Sequence, residues 1–229
     1  MAHRKALTSI GISFLDEPEK AGAEAARNAV LKLGAKPKFG FVFCSDKRFS
    51  DEASVKALVR SAHKEFMNAN PHFEWVGCTT QHIGGCVALV ADSKNIHFGI
   101  GIGSHTSRHP VAAGEKAARE AISKVDLDKH ILSYVASLEH DKNHLDVEKI
   151  HPYLMTTLAP KNSKLNEVLK GIVNIAGARA PVLKEVGYTF SNGILFSDAT
   201  ILLLQAFDED GEWHNFQNKW LSSVFGPGI

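Results

Sequence analysis

The apolar positions of this chain change period as they run. "SIGISF", from Ser9, and "HFGIGIGS", from His97, alternate Ile or Phe with Gly or Ser, the period of two of a half-buried strand. "FGFVFCS", "FEWVGCTT", "CVALVAD" and "ATILLLQAF" are short continuous apolar runs, the pattern of strands buried on both faces. Between them lie stretches at helical spacing. "EKAGAEAARNAVLKLG" and "VAAGEKAAREAISKV" carry stripes of small residues. "DEASVKALVRSAHKEFMNAN" predicts a longer amphipathic helix with Ser50 as its N-cap, and "NSKLNEVLKG" a shorter one stopped by Gly171.

These elements occur twice. The segment from Glu19 to Ser45 and the segment from Val111 to Ser137 share a small-residue helix with Ala-Gly near its start, a break, and a strand closing on serine. The offset is about 92 positions, the mark of two structural copies. Extending the match pairs "FEWVGCTT" with "IVNIAGAR", and "CVALVAD" with "ATILLLQAF". Each copy then reads β-α-β-α-β-β. Copy one covers about 7–92 and copy two about 95–207, the second lengthened by insertions around His140 to Lys161 and Pro181 to Ser197. The expected fold class is α/β, an internal duplication with mixed sheets and helices packed outside. No Pro/Gly/Ser linker separates the copies, so residues 1–229 are expected to form one fused domain. Trp213, Phe216, Trp220 and Val224 recur at helical spacing and predict a C-terminal helix over 212–225, docked on the domain or offered to a protein partner.

Composition narrows the function classes. A formal net charge of +1 and no basic run interleaved with aromatics argue against nucleic acid. The longest apolar run, near Ala199 to Phe207, is far short of the ~20 residues of a spanning helix. The N-terminus carries early positive charge without an apolar core or a cleavage site, so no signal peptide is expected. Three cysteines without a Cys-x-x-Cys fit free thiols in a reducing cytoplasm.

The chemistry-bearing stretch is "GCTTQH", Gly77 to His82. Cys78 with His82 is a candidate nucleophile and base, although no helix begins there to lower a thiol's pKa. "VGCTT" resembles the thiol strand end of cofactor-independent aspartate/glutamate racemases, which set one cysteine in each of two similar halves. Here Cys44, Cys78 and Cys86 all lie in copy one, opposite Ala136, Ala178 and about Ala199, so that mechanism lacks its second thiol. Gly99, Gly101 and Gly103 share one face of a strand, open to a helix or a ligand, but do not form a dinucleotide fingerprint. His140, His144, Glu148 and His151 would share one helix face and could hold a metal, as could His105 with His109. Arg179 follows a predicted strand end at the position equivalent to Cys78 to Thr80. A guanidinium there, opposite Thr79, Thr80 and Gln81, would clamp a carboxylate at the seam between the copies, with Ser45 and Ser137 as further polar groups.

The order of "FGFVFCS", the long helix, "FEWVGCTTQHIGG", the Gly-rich strand with its Ala-rich helix, "NIAGARAP" and "FSNGILFSDATILLLQ" resembles the N-terminal module of FIST domains. Gly77, Cys78, Thr79 and Thr80 match that module's signature turn. "QHIGG" departs where Gly-Glu is usual, and "AGARAP" replaces a Gly-Gly-x-x-x-Asp turn. The resemblance reaches to about Phe207. It implies a sensory module for an amino acid or another small carboxylate, with a protein signalling partner. Some FIST proteins are haem-binding nitric oxide sensors, and His82 would be the axial ligand in that alternative. An enzyme using Cys78 with His82 is the other alternative.

Overall fold

The computed structural model describes residues 7–81, 83–93, 96–125, 153–160, 164–176 and 182–207. In chain order these form β1 (Leu7–Ser13), α1 (Pro18–Leu33), β2 (Phe39–Ser45), α2 (Glu52–Ala69), β3 (Glu74–Thr80), β4 (Cys86–Asp92), β5 (Ile96–Ser104), α3 (Pro110–Lys124), β6 (Tyr153–Pro160), α4 (Leu165–Ala176), β7 (Val182–Val186), β8 (Thr189–Ser191), β9 (Ile194–Phe196) and β10 (Ala199–Phe207). The class is α/β, and the duplication is visible in topology. One sheet runs β1-β4-β2-β3-β8-β9 and the other β5-β10-β6-β7. Numbered in chain order within each sheet, the first four strands of the former and the four of the latter come in the same order, 1-4-2-3. The first sheet is mixed: β4 is antiparallel to β1 and β2, whereas β2 and β3 are parallel.

The chain divides into two compact units. One holds Met1–Ser93, Leu158–Asn162 and Glu185–Ile201; the other holds Lys94–Thr157, Ser163–Lys184 and Leu202–Ile229. In the first unit, α1 buries Ala21, Gly22, Ala25, Ala26 and Ala29. Residue 11 must be glycine, because a Cβ there would overlap the Ala25 carbonyl oxygen. The helix begins with Pro18 in its first turn and ends at Gly34, which adopts the left-handed φ of 64° that a C-terminal glycine supplies without strain. Helix α2 is capped by Asp51, one residue beyond the expected Ser50, with its carboxylate accepting from Ser54 N at 2.8 Å. The core here is aromatic: Phe49, Phe66, Phe73, Trp75 and Phe190, with Val42, Cys44, Cys86, Ala88 and Val90 from the strands. The opposite sheet face, with Phe39, Phe41, Phe43 and Val76, is equally buried, so β2 reads as a continuous apolar run. Asn192 and Gly193, both at positive φ (48° and 84°), form the tight turn that joins β8 to β9.

In the second unit, α3 buries Ala113, Gly114, Ala117, Ala118 and Ala121, each 92 positions after its α1 counterpart. Its core adds Val125, Val168, Ile172, Leu202 and Leu204.

The second copy departs from the sequence reading in three places. Strand β6, Tyr153–Pro160, falls inside the stretch expected to be an insertion, and holds the place in the strand order that β2 holds in copy one. Helix α4 continues through Ala176, so "IVNIA" is helical and Gly171 does not stop it. Val168 and Ile172, fully buried one turn apart, carry the apolar face past the glycine. Gly171 is small because α3 passes there: a Cβ would overlap the Val111 carbonyl oxygen. The strand matching β3 is therefore β7, Val182–Val186, and the equivalence of Ala178 and Arg179 with Cys78 to Thr80 is withdrawn. Ser137, the set His140 to His151, Arg179 and the helix expected over 212–225 lie outside the described residues, as does His82.

Candidate functional site: the carboxyl ends of β2 and β3

Two parallel strands end side by side, with Ser45 of β2 opposite Thr80 of β3. In open α/β sheets ligands sit beyond the carboxyl ends of parallel strands, where the chain turns into loops and backbone groups become available. Both loops here are tied down. Asp46 N–H donates to Thr80 O at 3.1 Å, Ser45 N–H to Gly85 O at 2.8 Å, and Phe49 N–H to Ser45 O at 3.0 Å. The Ser45 hydroxyl is buried and accepts from Arg48 N–H at 3.4 Å. Ser45 thus shapes the turn.

Thr79, expected to touch a ligand, faces the interior instead. It is fully buried, and its Oγ1 accepts from Tyr188 N–H at 2.8 Å while its own N–H donates to Tyr188 O at 3.0 Å. Its hydroxyl joins β3 to the segment entering β8. Thr80 is half-buried and Gln81 exposed, so these two carry the loop's outward polarity. Beyond them Gly84 has open space around its Cα, whereas a Cβ on Gly85 would overlap Ser13 O. The end of β1 thereby packs against the β3–β4 loop.

Sequence reasoning missed the cation at this rim. Arg48 binds Asp16 through Nε at 3.0 Å and donates Nη1–H to Phe14 O at 2.6 Å. Asp16 is itself 88% exposed. A guanidinium has five N–H donors in a planar fork, and these two contacts leave others for a ligand. The signal was present in "CSDKRFSDE": a buried strand running straight into a charged turn.

The three cysteines lie in the interior. All three are free and buried. Cys44 and Cys86 are opposite one another on β2 and β4, on the helix-covered face. Burial raises the Cys44 thiol well above its ordinary value and pushes Cys86 up to about 12. Cys78 is 1% exposed on the other face. A nucleophilic thiol needs the reverse environment, electropositive and partly open.

The remaining motifs resolve into packing. Gly99, Gly101 and Gly103 face the carbonyl oxygens of Ala121, Ala117 and Ala113 in turn, so the bare glycine face admits α3. His105 and His109 build the turn before α3, with His109 N–H donating to His105 O at 2.8 Å. Among the described residues, no group of three His, Cys, Asp or Glu side chains is gathered to hold a metal ion. No helix among them is long and apolar enough to cross a membrane.

No family model matches the chain, and no curated protein matches it. Among solved structures it is similar to cyanuric acid hydrolase from A. caulinodans, at 8% identity and a TM-score of 0.48, over 90% of this chain and 72% of that one. A second cyanuric acid hydrolase structure gives 11% identity and a TM-score of 0.47, over 90% and 71%. Thiamine monophosphate kinase from Aquifex aeolicus gives 13% identity and a TM-score of 0.29, over 88% and 83%.

Proposed function

We propose that this chain is a small-molecule-binding sensory module of the FIST N-terminal kind, taking an amino acid or another small carboxylate at the carboxyl ends of β2 and β3. The observation that carries the reading is the pairing of Ser45 with Thr80 at the ends of two parallel strands, with Arg48 on the adjoining turn. In this reading Arg48 takes the clamp role. Its fork donates two parallel hydrogen bonds to a ligand carboxylate, displacing the solvent-exposed Asp16. Thr80 and Gln81 supply the hydroxyl and the amide that orient the remainder of the ligand, while Ser45 and Thr79 hold the loop and the strand beneath them.

Thermal unfolding with L-glutamate, L-aspartate, succinate and inorganic phosphate tests this. A ligand at a hundred times its Kd adds about 2.7 kcal/mol, a shift of a few degrees for a chain this size. Arg48→Ala is expected to weaken the carboxylate that binds by at least about tenfold, the scale of a charge-assisted hydrogen bond, without lowering the Tm of the free protein by more than a degree or so. No shift with any carboxylate, or full affinity in Arg48→Ala, overturns the proposal. Iodoacetamide separates it from thiol catalysis. Cys44, Cys78 and Cys86 are expected to react at neutral pH only as fast as the protein opens, since burial keeps them protonated or covered. Rapid stoichiometric labelling of Cys78 in the folded protein would favour the enzyme.

A further inference from the structure

Two thiols face each other inside the first sheet. Cys44 of β2 and Cys86 of β4 are directly opposite in an antiparallel pair, and both side chains lie on the face covered by α1 and α2. The hydrogen-bonding phase fixes how near they come. Ser45 N–H donates to Gly85 O at 2.8 Å, so Ser45 and Gly85 are a bonded pair of that ladder. Asp46 N–H turns the other way, to Thr80 O of β3 at 3.1 Å. The odd-numbered residues of β2 therefore bond toward β4 and the even-numbered ones toward β3. Cys44 and Cys86 thus hold a non-hydrogen-bonded position, where opposed Cα atoms approach to about 4.5 Å. A disulfide bridges Cα atoms about 4.4 to 6.8 Å apart, so the two thiols are within bonding reach, at the tight end of the range.

Cys78 has no such access. It pairs with Phe43, next to Cys44, and so belongs to the opposite face of the sheet. The place of the facing pair is specific as well. Cys44 directly precedes Ser45, and Cys86 directly follows Gly85. One opens the turn that carries Arg48, and the other closes the loop between β3 and β4. A covalent bond between them ties the bases of both.

We propose that Cys44 and Cys86 form a reversible disulfide, a cross-strand staple set by the thiol–disulfide balance around the protein. The bond does not depend on the ligand reading above. Its oxidant is a small-molecule disulfide of the glutathione kind. Both thiols are fully buried, and burial first, then the neighbouring Cys86, raises the pKa of Cys44. Exchange therefore proceeds when β4 opens from β2, or before the two strands join. One protein thiolate attacks the small disulfide, breaks its S–S bond and expels one glutathione. The second attacks the protein sulfur of that mixed disulfide and expels the other. Two electrons pass from the cysteines to glutathione, and the two thiol protons finish on the released thiolates. The tight spacing strains the bond, and strained disulfides are the readily reduced ones.

The test brings the intact protein to equilibrium with glutathione buffers of stepped [GSH]²/[GSSG]. Equilibrium is approached from reduced protein and from protein refolded in oxidised glutathione, and each sample is quenched in acid. Mass spectrometry is expected to show the loss of two hydrogens with no glutathione adduct, and a peptide map to join Cys44 to Cys86. The folded protein should keep the bond at a [GSH]²/[GSSG] at least about tenfold higher than the urea-unfolded chain does, because the strands present the two sulfurs to each other. Cys78→Ala should retain the bond and Cys86→Ala should lose it. Should either variant not fold, the peptide map of the wild type decides. A dithiol that persists from both directions with oxidised glutathione in excess overturns the proposal. So does a bond that includes Cys78, or a folded-state midpoint no higher than the unfolded one.

Discussion

In the first copy α1 approaches α2 at Gly22, where a side chain would overlap the Leu58 carbonyl oxygen. In the second, α3 and α4 use two such positions, Gly114 against Val168 and Gly171 against Val111. The volume around these crossings is filled differently. The first unit packs Phe49, Phe66, Phe73, Trp75 and Phe190, the last from the sequence range of copy two, with Trp75 edge-on to both Phe66 and Phe190. Among its described residues the second unit's core uses Ala, Val, Ile and Leu. The comparison separates two layers of specification. Small residues fix how closely backbones approach, and these recur at an offset of 92. The larger side chains need only fill what remains, and the two copies fill it independently.

The strongest way to break that account is at a shared glycine. Gly101→Ala would drive a Cβ into the Ala117 carbonyl oxygen, with the Ala121 amide nitrogen 2.7 Å away. Backbone meets backbone there, so no rotamer change relieves it, and a loss of about 3 kcal/mol is expected in denaturant melts. Gly84→Ala meets nothing within 4 Å and should leave the midpoint unchanged. Equal effects of the two would show that close approach does not set the helix positions.

A smaller effect sharpens the aromatic half of the comparison. Trp75 Nε1–H donates to His63 Nδ1 at 3.2 Å, and burial lowers the His63 pKa below its ordinary value. The bond needs a neutral ring, since protonation at Nδ1 sets donor against donor. In the unfolded chain His63 titrates near ~6.5. Its contribution is therefore complete above that pH and is lost as pH falls through the lower folded value. His63→Gln keeps an acceptor for the indole without titrating. Its stability should fall less steeply as pH drops below about 6.5 than that of the wild type; parallel curves would remove His63 as the cause.

The elements that share copy one's pattern were legible. β2, β4 and β10 begin and end where their apolar runs do, because strands buried on both faces are built mainly from apolar residues. The helix stripes of α1 and α3 were legible because a face of alanine and glycine recurs with the helical period. Copy two misled where one residue type serves two purposes. Gly171 has the composition of a helix stop, yet it is a contact with α3. The Ile–Val run that follows it looks like a strand, but its periodicity over Val168 and Ile172 belongs to a helix. Within the candidate site, the loop after β3 was found from its polar cluster. The inward turn of Thr79 and the arrival of Arg48 were not, because both depend on which face of the sheet is covered.

By itself the sequence determined the class, the duplication and the identity of most strands, since periodicity and small-residue spacing are local properties of the chain. Tertiary structure decided the rest. It chose β6 and β7 for the places that an offset of 92 had assigned to other residues. It buried Thr79 beneath Tyr188 and brought Arg48 to the rim. It also brought Glu120 and Lys124 of α3 against the backbone of β5. Each of these turns on contacts between residues distant in sequence, where the free energy depends on what covers a face or an edge, and no local pattern records that.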